Sequence, residues 1–94
     1  MSHYVYILEC ADNTLYVGYT TNLEARRQEH CDGRGGGYTA ARLPVRLVYS
    51  ESCDNAAAAL KRERQVKRWT RAKKAALIAG DRPLLRKLSP TPRT

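Results

Sequence analysis

An α+β fold, with a small three-stranded β-sheet flanked by helices in the order β-β-α-β-α-α, is what this sequence predicts. Three observations predict it. Residues 4–9 (YVYILE) and 15–20 (LYVGYT) are aromatic and β-branched runs on either side of a short polar turn, the signature of a β-hairpin. Residues 45–49 (VRLVY) alternate after Pro44 and read as a third strand. Beyond Asp54 the chain turns to Ala, Lys, Arg and Leu with capping residues at intervals, which is helical chemistry.

Each element has a local reason. Ala11, Asp12, Asn13 and Thr14 supply the hairpin turn. Asn22 is placed to cap a helix over residues 23–30. Residues 32–37 (DGRGGG), with four glycines, are expected to form a flexible loop rather than regular structure. Asp54 is a cap for a long helix over residues 55–69. Thr70 opens another that stops at Gly80, and a short last helix fits residues 83–88. Residues 1–88 are therefore expected to form a single domain, and residues 89–94 (SPTPRT) a disordered tail.

Composition narrows the class. The 94 residues are 43% hydrophobic, too apolar for a disordered chain, yet no run approaches the roughly 18 apolar residues of a membrane helix. Residues 1–4 lack a basic segment followed by an apolar run, so no signal peptide is expected. Cys10, Cys31 and Cys53 are odd in number and widely spaced, which points to reduced thiols in a cytoplasmic protein rather than a disulfide framework or zinc site. The net charge is +8, and twelve bases from Lys61 onward face only Glu63 and Asp81. So localised a basic block suits a polyanionic partner, nucleic acid above all, although a solvated helix surface would also look this way.

Several side chains could do chemistry. At about 100° per residue, Leu23, Arg26, Arg27 and His30 share one helix face, so Arg26 and His30 flank an inward leucine and could meet a phosphate from two sides. On the next long helix, Ala56, Ala59, Leu60 and Val66 mark an apolar stripe with Glu63 in its middle. A carboxylate there requires either an ion-pair partner, such as Arg26, or a hard cation such as Mg²⁺. Six tyrosines and no phenylalanine suggest that some phenol hydroxyls are used, and two from the hairpin can meet on one sheet face.

These residues resemble the GIY-YIG nuclease superfamily, in its small stand-alone bacterial form. Tyr4-Val5-Tyr6 stands at the first motif and Tyr16-Val17-Gly18 at the second. Asn22 to Arg26 with His30 is similar to the family's first helix, and Gly37-Tyr38-Thr39 with residues 44–49 to its loop and third strand. Ala59 to Glu63 with Val66-Lys67 resembles the segment bearing the metal-binding glutamate. The resemblance spans about residues 3–88 and implies a metal-dependent DNA endonuclease, with DNA repair or the processing of branched or damaged DNA as its expected setting. It implies that Tyr6 and Tyr16 position or deprotonate the attacking water. Arg26 would bind the scissile phosphate, His30 would move a proton or bind phosphate, and Glu63 would hold one Mg²⁺ or Mn²⁺. Gly18 would leave room for substrate. A nearby metal and Arg26 are expected to lower the tyrosine pKa far enough for base chemistry. Lys67, Arg71 and Lys74 would grip flanking phosphates, in a protein expected to be a monomer with no membrane association. The alternative is a catalytically weak DNA- or RNA-binding module on the same fold. Where family members often carry an Asn near the domain's end, this chain has residues 80–84 (GDRPL), with Asp81 as the potential stand-in.

Overall fold

A computed structural model describes residues 2–88. Three antiparallel strands, β1 (His3–Cys10), β2 (Leu15–Thr20) and β3 (Val45–Cys53), form one sheet in the order β2-β1-β3. Helix α1 (Leu23–Cys31) and a single turn α2 (Gly37–Ala40) lie between β2 and β3. After β3 come α3 (Ala56–Lys67), α4 (Arg71–Ala79) and α5 (Arg82–Leu88). The α+β architecture and its element order are as the sequence predicts, with the one-turn α2 added. The proposed tail, residues 89–94, lies outside the described residues.

The central strand explains the layering. β1 is flanked on both sides, so its side chains are buried on both sheet faces. Val5 and Ile7 join Val17, Ala59 and Val66 under α3 and α4. Tyr6, Leu8 and Cys10 point the other way and pack with Val45, Leu23, Cys31 and Leu47 beneath α1. One face is thus an apolar core, and the other carries the motif tyrosines. The β1–β3 register slips between Ile7 and Leu8, leaving Val48 as the extra residue of a bulge.

Local chemistry fixes the helix ends. Asn22 and Thr70 cap α1 and α4 as expected, accepting from the amides of Ala25 and Lys73. Gly80 closes α4 in the left-handed region, at φ 71°. Three expectations need correction. Asn55, not Asp54, caps α3, because its side chain is the one that reaches the Ala58 amide. Leu60 is 42% exposed and lies outside the buried stripe that Ala59 and Val66 define. Gly37, expected within a flexible loop, instead begins α2 after Gly36 turns the chain at φ 125°.

Candidate active site

The tyrosine-bearing face gathers four of the five residues proposed for chemistry from three elements, and the fifth, Glu63, acts on it electrostatically from a fourth. Tyr6 sits opposite Gly18 in the β1–β2 ladder, and Leu8 opposite Tyr16, so Tyr6 and Tyr16 are diagonal neighbours. Their ring centroids are 6.5 Å apart. A β-carbon added to Gly18 would lie 2.3 Å from the Tyr6 hydroxyl oxygen. The space at Gly18 therefore seats Tyr6; it is not left open for a substrate backbone, as had been expected.

His30, in the last turn of α1, is 1% exposed. It is not a surface histidine. Its Nε2 lies 3.0 Å from the Tyr6 hydroxyl, and its Nδ1 lies 2.7 Å from Oγ1 of Thr39, itself fully buried in α2. Both ring nitrogens are thus engaged, and the three groups form one buried chain of hydrogen bonds. Burial, and then the Arg26 guanidinium, hold the imidazole below its ordinary value of 6.5, so it is neutral at pH 7. A neutral imidazole donates from one nitrogen and accepts at the other, so the chain has a single direction at any moment.

Tyr6 responds to the same surroundings in the opposite sense. Burial pushes its phenol well above 10, and the charges of Tyr16, Glu63 and Glu29 add to this, while Arg26 pulls the other way. The protein alone therefore raises the Tyr6 pKa. The expected lowering by Arg26 is present but is outweighed by desolvation.

Arg26 stands one turn before His30, with its side chain 42% exposed and its Nε 3.6 Å from a Glu29 carboxylate oxygen. Its charge reaches both Tyr6 and His30, so the guanidinium flanks the tyrosine-histidine pair while staying open to a ligand. Glu63, on α3, is 17% exposed in its side chain. Its ion-pair partner is Lys67, at 3.5 Å, and not Arg26. Its charge is felt at Tyr6, across the sheet edge that β2 forms.

The donor set limits which metal fits. No group of three or more His, Cys, Asp or Glu side chains capable of holding an ion occurs among the described residues. A protein cage for Zn²⁺ is therefore not present there. A single half-buried carboxylate suits Mg²⁺ or Mn²⁺, which keep several waters and take further oxygens from substrate phosphate. Glu63 is the residue that would hold such an ion.

The remaining nominees are placed less uniformly. Lys67 is half exposed beside Glu63. Arg71 donates to the Asn13 carbonyl of the hairpin turn, so it ties α4 to the sheet. Burial, then Arg71, lower the pKa of Lys74. Asp81 accepts from the Leu84 amide as the cap of α5, and its carboxylate is committed there.

Three further residues shape the site without having been singled out for it. Thr39 holds His30 from behind. A β-carbon at Gly35 would stand 2.2 Å from the His30 Nδ1, so the loop packs against the imidazole only because that position is glycine. Tyr38 sets its ring 5.7 Å from that of Tyr16, with the Arg42 guanidinium 3.9 Å from its own centroid and Arg42 held by Asp12. The available signal was the glycine-rich stretch just after His30, which permits close backbone approach.

The chain is similar to known proteins. The GIY-YIG catalytic domain family matches residues 2–76. A UPF0213 protein of Natronomonas pharaonis is 53% identical over 79 residues, covering 84% of this chain and 93% of its own. A UPF0213 protein of Staphylococcus aureus is 48% identical over 77 residues, covering 82% of this chain and 94% of its own. The solution NMR structure of a UPF0213 protein from Bacillus halodurans is 41% identical, with a TM-score of 0.55 over 97% of this chain and all of that one.

Proposed function

Since the chain belongs to the GIY-YIG family, we propose that it is a Mg²⁺- or Mn²⁺-dependent endonuclease that hydrolyses phosphodiester bonds in DNA. The observation that most supports this reading is the buried Tyr6–His30 hydrogen bond, flanked by the accessible Arg26 and within reach of the charge of Glu63. A pure binding surface has no use for Glu63, because a carboxylate repels phosphate.

The residues divide the work as follows. Arg26 binds the scissile phosphate and neutralises charge that develops on it. A divalent ion on Glu63, when bound, supplies a Lewis acid that assists the leaving oxygen. Tyr6 cannot act as a free phenolate at neutral pH, so it relays: it takes a proton from the attacking water while passing its own to His30 Nε2. His30 becomes an imidazolium whose Nδ1–H donates to Thr39. Bound phosphate offsets the Arg26 charge that otherwise opposes this protonation. Tyr16, packed against the His30 ring at 5.3 Å, positions the water from the more open side.

Cleavage of labelled duplex, single-stranded, flap and four-way-junction DNA, in Mg²⁺ or Mn²⁺, tests this. Cutting by the native chain and none by Glu63→Ala is the expected result. Binding without cutting on every substrate and in either metal would leave a nucleic-acid-binding module with a vestigial site.

A further inference from the structure

An open cleft of about 750 Å³ lies along the outer side of α3, away from the tyrosine face. Lys61, Arg64, Gln65 and Arg68 line it, Trp69 closes one end, and no acidic residue contributes. Gln65 stands about 200° around the helix from Glu63. The helix therefore divides its charge: its lone acid, with Lys67 beside it, faces the sheet edge, and Lys61, Arg62 and Arg64 face this cleft.

The bases differ in availability. Arg62 is structural, since it pairs with Glu51 at 3.0 Å and donates to Gln65 at 2.9 Å. Lys61, Arg64 and Arg68 are exposed, and no ion pair joins any of them among the described residues. Their spacing of three and then four residues puts them on one side of the helix, over about 10 Å of rise. Trp69 is partly buried against the core, which holds its ring still. The Arg62 guanidinium and the Lys73 amine lie over the indole, 5.1 and 4.1 Å from its centroid, so basic charge already sits against the ring that a base would share.

A row of free cations beside a fixed aromatic ring suits a phosphate backbone with at least one unstacked base. In a duplex each base is already stacked on its neighbours, whereas a single strand offers a free face to an indole. We propose that this cleft binds a single-stranded arm of nucleic acid, with phosphates along Lys61, Arg64 and Arg68 and a base on Trp69. This rests on the nuclease reading and refines its substrate: DNA carrying a single-stranded extension, such as a flap or overhang, whose arm runs along α3 while Glu63 addresses the bond to be cut.

Trp69 is the chain's one tryptophan, so its emission reports on the cleft directly. The experiment titrates the full chain, without divalent metal, with a thymidine octanucleotide, with a blunt duplex of that length, and with poly-glutamate. Saturable quenching by the single strand is expected, with affinity at least about 10-fold above the other two. The Arg64→Ala/Arg68→Ala protein, whose fold circular dichroism checks, should bind the octanucleotide about 10-fold more weakly. Absence of quenching, equal affinity for duplex or poly-glutamate, or an unaffected double variant would each overturn the proposal. Quenching should persist in Glu63→Ala. Cutting without quenching would fail the cleft alone; quenching without cutting would fail the nuclease reading alone.

Discussion

At the residue scale, the site depends on a histidine that has lost its contact with water. Thr39→Val keeps the shape of the side chain but leaves His30 Nδ1 with no partner in a buried place. The expected loss is about 1–3 kcal/mol of stability, read as a lowered urea midpoint. Serine at that position should restore most of it. His30 also makes stability depend on pH, with a definite sign. Its folded pKa is depressed below the unfolded value, so on acidification the unfolded chain takes up a proton that the folded chain refuses. Stability should be fully present above about pH 6.5 and should fall as pH drops below that. Arg26 adds to the depression and Glu29 opposes it. Urea midpoints between pH 7.5 and 5.5 would show the slope, which His30→Gln should flatten. An undiminished slope in that variant would assign the titration elsewhere. Gly18→Ala tests the seating of Tyr6: the added methyl meets the phenol itself, so about 1–3 kcal/mol should be lost even though the change is small.

At the scale of elements, the two sheet faces are built by different means. The α3 side is apolar, and a polar clamp reinforces it. Tyr49 donates to Glu51 at 2.5 Å, and Glu51 in turn accepts from Arg62 of α3. Burial and this carboxylate push the Tyr49 phenol up to about 12. Glu51→Gln should loosen β3 from α3 at a cost of about 1–2 kcal/mol, since Arg62, its side chain only 27% exposed, loses its carboxylate and keeps only the Gln65 carbonyl as acceptor, and thermal unfolding would measure it. The strands, α1, α3 and α4 were legible because caps and periodicity are local signals. The one-turn α2 was not. Four glycines argue for irregular chain, and what makes residues 37–40 helical is the packing of Thr39 on His30, a contact between distant positions. The choice between Asp54 and Asn55 as cap was equally beyond local reasoning, since both side chains suit the role and only the entry angle of the chain selects one.

At the scale of the whole molecule, composition left a polyanion partner and a solvated basic surface both open, and only the fold says which bases are free to meet a partner. Helical geometry drew notice to an inward glutamate and to an arginine and a histidine beside an inward leucine, and composition to an excess of tyrosine over phenylalanine; the choice of Tyr6 and Tyr16, and the roles proposed for all five, came from the family resemblance. The basic residues carried no such mark, and the structure separates them. Arg71 spends its guanidinium on the Asn13 carbonyl, and Lys67 leans on Glu63. Each phosphate contact that a base makes steepens the fall of affinity with salt, by roughly 0.7–0.9 in the slope of log K against log salt concentration. Binding should therefore be strongly salt-dependent for a chain of net charge +8. Replacing exposed Arg64 and Arg68 by alanine should reduce the slope by roughly 1–2 while leaving the unfolding midpoint nearly unchanged. Arg71→Ala should do the reverse, lowering the midpoint through the lost tie between α4 and the hairpin turn and moving the salt slope little. Glu63→Ala should bind DNA as tightly as the native chain or more so, because one repulsive charge is gone. Salt titrations of a labelled oligonucleotide, run beside thermal melts of the same proteins, separate these outcomes. If Arg71→Ala instead flattened the slope and melted normally, its bond to Asn13 would yield to phosphate in solution, and the binding track would run across α4 rather than along α3.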